Sequence, residues 1–257
     1  MYVHFTIINY PRLSGIAGFF SMMFFRFFLS GRNDFVFYKL MGTGLNGSFD
    51  LRPDTRQWVI MSFSKTDVLY GIDKDSNTLI RKLYGKAISG WIKFFRCETA
   101  IFHLKIFSGH GSWDGKVLPA EKSDDVNNTE LLAVFTRATI RLNKLRAFWK
   151  EVPKTNQKSR EAEGLLFSIG TGEAPAIRQA TFSIWRSLNH MKCYAYQTKE
   201  HLDVIRKTRE EGWYSEEMFL RMKLISAYGS VKGKDMGMIQ NKGHVIQEGN
   251  PELKNEK

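Results

Sequence analysis

The chain is poor in cysteine: only Cys97 and Cys193 occur in 257 residues, and they form no motif. That excludes a disulfide framework and a paired-thiolate metal site, and it fits a reducing cytosol. Acidic residues are also in short supply, 26 against 38 Lys and Arg, for a formal net charge of +12. A surplus of that size favours anionic partners such as nucleic acid or a membrane surface, although scattered surface lysines give the same total. No recognition motif accompanies the basic residues, so no nucleic-acid partner is expected. The apolar run IAGFFSMMFFRFFL, Ile16 to Leu29, is too short to span a bilayer and is broken by Arg26. It follows a strand-like segment, which argues against a signal peptide. GxSxG, HExxH and paired CxxC are absent, and neither Gly-Thr-Gly turn is followed by Gly-Lys-Ser/Thr. Serine hydrolases, zinc proteases, Walker-type NTPases and dinucleotide fingerprints are thereby disfavoured.

What remains is an ordinary globular composition, 43% apolar and 25% charged, long enough for one or two domains. Val3 to Asn9 reads as a strand, and the Phe-rich run as a helix that is apolar almost all round. Such a helix is either buried or touches a lipophilic cavity or membrane. Strands follow at Phe35 to Met41 and Gln57 to Phe63, then a less regular helix within Thr66 to Trp91, then a strand at Ile101 to Phe107. After the polar stretch Ala120 to Glu130 the order recurs. It runs as strand Leu131 to Arg141, a short helix stopped at Pro153, strands Leu165 to Ile169 and Gln179 to Trp185, helix Leu188 to Glu211, and strand Met218 to Ala227.

The recurrence is also visible in residues. Phe5-Thr6 matches Phe135-Thr136, Phe19-Phe20 matches Phe148-Trp149, and Gly42-Thr43-Gly44 matches Gly170-Thr171-Gly172. Arg56-Gln57 matches Arg178-Gln179, and Gly90-Trp91 matches Gly212-Trp213. The separation between partners only shrinks along the chain, as a few shorter loops would require. The expectation is an α+β fold of two tandem ferredoxin-like β-α-β-β-α-β repeats, packed sheet to sheet as a pseudo-symmetric barrel. The first repeat would take 1–119, a linker 120–130, the second repeat 131–234, and a polar, disordered tail 235–257. In the strand Gln179 to Trp185, the apolar set Ala180, Phe182 and Ile184 is expected to face the helices.

Of six histidines, His4 and His103 fall in strands, His110 in a turn, His190 near a helix start and His244 in the tail. His201 differs. It lies in the second-half helix beside the stripe Leu188, Met191, Ala195, Leu202 and Ile205, and its repeat partner is Leu79. An imidazole at one of two equivalent sites suits a single functional pocket. It could act as a general base, bind a transition metal, or serve as the lone proximal ligand of a haem. The third best fits the lack of neighbouring ligands. Arg137 and Arg141 could then meet haem propionates or polarise a distal ligand. The competing reading is a cofactor-free or non-catalytic barrel binding a small apolar ligand.

FYKLMGTG (Phe37 to Gly44), TRATIR (Thr136 to Arg141), FWKEVP (Phe148 to Pro153), GTGEAP (Gly170 to Pro175), QATFSIW (Gln179 to Trp185) and REEGWYSEEMF (Arg209 to Phe219) together resemble the spheroidene monooxygenase family. The resemblance runs from about Phe37 to Lys234 and is strongest after Thr136. The helix around Asp73 to Lys82 matches poorly, and neither the 120–130 linker nor the tail belongs to the family's pattern. The resemblance implies a haem-containing (b-type, iron) monooxygenase that uses O2 and reducing equivalents to hydroxylate a carotenoid or similar lipophilic substrate, then to ketolate it. It implies an axial-ligand role for His201 and leaves the roles of Arg137, Glu173 and Trp185 open. It also implies a cytoplasmic protein in peripheral contact with the inner membrane surface.

Overall fold

The computed structural model describes residues 1–72, 75–118, 130–160, 162–197 and 206–239, with backbone alone at 153–160 and 196–197. Its first half holds β1 (Tyr2–Asn9), α1 (Gly15–Ser30), β2 (Phe37–Gly44), β3 (Pro53–Ser64), α2 (Ser76–Phe94) and β4 (Glu98–Gly111). Its second half holds β5 (Leu132–Ile140), α3 (Leu145–Arg160), β6 (Leu165–Ala174), β7 (Arg178–Trp185), α4 (Leu188–Gln197) and β8 (Tyr214–Val231), followed by the short β9 (Lys234–Asp235). The strands run in the order β4-β1-β3-β2-β6-β7-β5-β8, and β4 pairs with β8, so the sheet closes on itself. The result is an eight-stranded antiparallel barrel with helices outside it. Closure leaves no free edge among these strands, which removes the template for edge-to-edge association.

One of the two seams between the halves is made by the two Gly-Thr-Gly segments, which continue β2 and β6 as strand where the sequence suggested turns. Gly42 pairs with Gly172 and Thr43 with Thr171, and the Thr171 hydroxyl donates to the Gly42 carbonyl at 2.6 Å. A Cβ on Gly172 would strike the Arg178 carbonyl. These segments are therefore backbone joints, and small residues are needed there for close approach. The second seam is the long β4–β8 ladder, from Ala100↔Gly229 to Gly111↔Met218.

Alternation of period two sends one set of side chains into the barrel and the other towards the helices. The interior is Val3, Phe5, Ile7, Val59, Met61, Phe63, Phe102, Phe135, Phe182 and their neighbours, all buried. Phe5 and Phe182 stack across it with ring centroids 4.1 Å apart. The lumen is thus a packed core. Ala180, Phe182 and Ile184 belong to it, which corrects the expected orientation of β7. In a closed barrel the larger share of apolar burial lies inside, so the more apolar face of each strand turns inward.

Further differences from the sequence reading have local causes. Helix α3 runs through Pro153 to Arg160 instead of stopping there. Proline forfeits one helical hydrogen bond, but the Lys, Gln and Arg that follow are good helix formers. One expectation agrees where it can be read: the helix expected over Leu188 to Glu211 is helical over Leu188–Gln197 and over 206–210 and turns at Gly212, whose φ is +60°, while 198–205 lie outside the described residues. Beyond β8 the chain is packed as far as Ile239: Met236 and Ile239 are buried against the barrel core. The remainder of the expected tail, 240–257, and most of the 120–130 linker lie outside the described residues.

Candidate functional site

The helix-side faces of the two halves are built on matching ladders but filled differently. In the first half Ile8 faces Trp58, Thr6 faces Ile60, and His4 faces Ser62. In the second half the matching places are Ala138 and Gln179, Thr136 and Thr181, and Val134 and Ser183; the ladder register thus sets Gln179 against Trp58, one residue from the Gln57 match read in the sequence. Isoleucine, tryptophan and isoleucine thus give way to alanine, glutamine and threonine on the floor beneath the helices. The first-half floor is covered by Phe25 and Leu29 of α1 and by Leu79, Ile80, Leu83, Tyr84, Ile88 and Ile92 of α2, all buried. The Tyr84 hydroxyl and the Thr6 hydroxyl are 2.7 Å apart. Above the smaller second-half floor lies a cavity of about 570 Å3.

Its floor is Val134, Thr136, Ala138, Thr181, Ser183 and Gly170. Its walls are Phe148 and Val152 of α3, Met191, Tyr194 and Ala195 of α4, and Trp185, Trp213, Tyr214 and Phe219. Phe49, from the first half, closes one side by stacking on Trp149 at 5.6 Å. Trp185 is fixed twice, stacking on Tyr194 at 5.3 Å and donating its indole N–H to the Ser183 hydroxyl at 2.9 Å. Burial pushes the Tyr214 hydroxyl up to about 12, so it stays protonated at any ordinary pH. Volume and lining are those of a small-molecule site: concave, largely apolar, with a few placed polar groups.

The sequence-predicted residues separate around this cavity. His201 lies outside the described residues, as does most of the segment that carries it. Its repeat partner Leu79 is fully buried between α2 and the sheet. Arg141 follows the end of β5 and is tied to two wall residues without itself lining the cavity: its backbone N–H donates to the Trp213 carbonyl at 2.8 Å, and its Nε to the Tyr214 carbonyl at 3.2 Å. Arg137 does not join them. It lies between Thr136 and Ala138 on β5, so its side chain projects to the opposite face, into the barrel mouth, where it is 2% exposed.

At that mouth Arg137 belongs to a charge network that the sequence reading missed apart from Glu173. It pairs with Glu216, approaches Glu173 at 3.6 Å, and lies over the Trp113 ring at 5.5 Å. Glu173 also receives Lys39 at 2.7 Å and the Trp113 indole N–H at 2.8 Å. Trp113 is fully buried and stacks on Phe135 at 5.3 Å. The turn Trp113 to Lys116 is therefore a plug in the barrel end. Burial alone would raise the Glu216 carboxyl, but the Gly115 N–H, the Ser112 hydroxyl and the Arg137 guanidinium outweigh it and hold the group at about 2. The alternation of β5 was the available signal, since it places Arg137 with Phe135 and not with Thr136.

The remaining described histidines do not line the cavity. His110 stacks on the wall residue Phe219 at 5.3 Å. The Nδ1 of His190 is 2.8 Å from the Ser187 hydroxyl. His4 and His103 are buried on the first-half sheet with ring centroids 5.1 Å apart. Among the described residues no cluster of three or more His, Cys, Asp or Glu could hold a metal ion. A single-ligand group such as haem would not need one.

No protein-family model matches the chain. It is 36% identical over 201 residues to the spheroidene monooxygenase of Rhodobacter capsulatus, covering 77% of this chain and 79% of that protein. It is 33% identical over 205 residues to the spheroidene monooxygenase of Rubrivivax gelatinosus, covering 78% and 73%. For that of Cereibacter sphaeroides the identity is 29% over 201 residues, covering 77% and 59%. Among solved structures, an aldoxime dehydratase in complex with butyraldoxime superposes with a TM-score of 0.58 at 9% identity, over 93% of this chain and 84% of that one. A second aldoxime dehydratase gives 0.54 at 9% identity, over 87% and 80%. Identities this low show a shared fold and nothing finer.

Proposed function

The chain belongs to the spheroidene monooxygenase family, and from that premise we propose that it binds haem in the second-half cavity and there hydroxylates, then ketolates, a carotenoid or similar lipophilic substrate. The observation that carries the reading is the asymmetry of the halves. The cavity of about 570 Å3 lies in the half that also bears the unrepeated histidine, and the matching space in the other half is filled by buried side chains. We also read each half as a ferredoxin-like unit, a reading supported by the identical strand orders β4-β1-β3-β2 and β8-β5-β7-β6.

Haem, when bound, would supply the O2 activation that protein side chains lack. His201 would hold the iron. It follows closely on Tyr194 and Ala195, which line the cavity. Arg141, tied to the wall residue Tyr214, would take a propionate. Trp185, Tyr194, Phe148 and Trp213 would bury the faces of the bound molecules and exclude water, which strengthens the polar contacts that remain. Thr136, Thr181 and Ser183 put hydroxyl groups on the floor, where they would orient a substrate more than bind it. Arg137 acts as a positioning residue at the barrel mouth, tying β5 to β8 through Glu216.

Reconstitution with haem tests the reading. The purified protein should take up iron and show a Soret band that His201→Ala shifts or abolishes, with oxygenase turnover lost together with it. Substrate turnover by iron-free protein would favour the cofactor-free alternative. A Soret band unchanged in His201→Ala would remove the ligand assignment.

A further inference from the structure

The two halves also differ in one connection. Residues 45–52 join β2 to β3, whereas 175–177 alone join β6 to β7. The shorter link is a tight turn, with the Ile177 N–H donating to the Pro175 carbonyl at 2.9 Å. The longer one is a compact loop whose ends meet: the Leu45 N–H donates to the Arg52 carbonyl at 2.7 Å. Asn46 and Gly47 take left-handed backbone, with φ of +59° and +74°, and fold the chain back on itself. The Ser48 N–H returns to the Leu45 carbonyl at 3.1 Å, and Arg52 pairs with Asp50 at 2.8 Å. Loops closed in this way are compact and frequently functional.

The loop belongs to the first half by sequence and to the second by contact. Asn46, Gly47, Ser48 and Phe49 line the second-half cavity. The loop backbone lies so close over Gly170 that a Cβ there would stand 2.6 Å from the Phe49 Cα. Gly42, the first glycine of the other Gly-Thr-Gly segment, is covered instead by the Trp58 ring, 3.4 Å from where its Cβ would be. A side chain of its own sheet thus seals the first half, and a loop from the other half seals the second. Two apolar clusters bound the cavity at opposite ends of β5. Leu132, Val134, Trp185 and Met191 belong to one. Ile140, Phe148 and Trp213 form the other, and Phe49 packs on that one. The Phe49 ring stacks on Trp149 at 5.6 Å and meets Phe148 at 6.2 Å, which places it at the α3 end.

We propose that the loop 45–52 is a cap on the cavity and that Phe49 sets the length of apolar chain the cavity accepts. The proposal rests on the reading of this cavity as the site of a lipophilic ligand. A chain laid along the floor from the α4 end gains affinity with each methylene it buries, until it meets a wall. At the α3 end Phe49 is the wall residue that the first half supplies. Phe148 is carried by α3 and Trp213 leads into β8, so both are fixed by the barrel's own elements. Phe49 is carried by a connection that the fold does not require to be long, as 175–177 show. A change at Phe49 therefore alters the length of the cavity at little cost to the barrel. Leu51, on the same loop, is 48% exposed and does not line the cavity.

Displacement of the neutral dye 1-aminoanthracene by n-alkanols, from hexanol to dodecanol, tests this on the full chain as purified. For wild type, affinity should rise about fourfold per methylene and then level off at a definite length. Phe49→Ala should move that limit outward by about two or three methylenes, and Phe49→Leu, which keeps most of the apolar packing, by about one. Leu51→Ala should leave the limit in place. Melting temperatures should stay near wild type in Phe49→Leu and Leu51→Ala. Ala138→Ile with Thr181→Ile, which fills the floor with the first-half isoleucines, should abolish alkanol binding. If that filled variant binds alkanols as wild type does, the cavity reading fails and this one with it. If it does not bind them, three results overturn the role of Phe49 while the cavity stands: no limit in wild type, a limit unmoved in both Phe49 variants, or a limit that Leu51→Ala moves equally.

Discussion

The two halves of the barrel share a strand order and differ in where they place apolar surface. The first half packs its helix–sheet interface solid and leaves an apolar ridge outside, at Ile16, Phe20, Met23 and Phe27. The second half keeps its visible outer helix surface polar, at Arg146 and Lys150, and leaves an apolar space inside. Three floor substitutions account for most of the inner difference: Ile8 to Ala138, Trp58 to Gln179 and Ile60 to Thr181. A scaffold of this kind can specialise one copy for chemistry and the other for support, provided each keeps the common core.

The comparison can be broken most severely by making the second half resemble the first. Ala138→Ile with Thr181→Ile rebuilds the first-half floor and should reduce turnover and apolar-ligand binding at least about a hundredfold, since the lost volume is where the ligand sits. The melting temperature should fall little or rise, because filling a cavity adds contacts. Turnover near wild type in the double variant would show that the cavity is not the site.

The next largest effect is on stability. Arg137→Ala removes the cation between Glu216 and Glu173, leaving the first to Ser112 and Gly115 and the second to Lys39 and Trp113, and should cost up to about 3–5 kcal/mol in denaturant unfolding, the range for removing one partner of a buried pair. Arg137→Lys should recover only part of this, because the paired contacts use the planar guanidinium fork. Ligand affinity, measured where the protein is still folded, should change little, since Arg137 and the cavity occupy opposite faces of β5. A selective loss of affinity without loss of stability would contradict that placement.

Acid stability sharpens the contrast further. Burial first, and the neighbouring His103 second, lower His4 from 6.5 to about 3. The folded state therefore stays neutral there while the unfolded chain takes up a proton. Stability from this source is full above pH 6.5 and is lost as the pH falls towards 3. His4→Val, which installs the residue of the matching second-half position, should flatten the dependence of unfolding free energy on pH across that window. Glu216 acts lower. Its carboxyl is held at about 2 against an ordinary 4.5, so its contribution is complete above pH 4.5 and lost between there and pH 2. Glu216→Gln should leave the pH 5–7 slope unaltered and change only the acid limb.

Much of the fold was legible before any coordinates. Strand alternation and helical spacing gave the element order, and the paired segments gave the division into halves. The paired Gly-Thr-Gly segments matched each other in the sequence, and they meet at one seam of the barrel. The face assignment of β7 was not legible. Ala180, Phe182 and Ile184 are the apolar set, but a sequence does not say whether the barrel interior or the helix layer claims it. Closure decides, and closure depends on ladders between residues more than a hundred positions apart, such as His103↔Ser226. Arg137 was noticed for its charge, yet its partners Asp114, Glu173 and Glu216 come from the plug turn and distant strands, so no local pattern joins them. The cavity was invisible for a related reason. It is recorded as an absence of bulk at Ala138 and Thr181, which only the register of the two halves exposes.

The most direct measurement is haem stoichiometry, read by absorbance and iron content, on wild type and Ala138→Ile/Thr181→Ile prepared side by side. Wild type should hold about one haem per chain with a Soret band, and the filled variant should remain folded and hold almost none. Equal haem in both proteins, or none in wild type that still turns over substrate, would contradict the claim that the second-half cavity houses the chemistry.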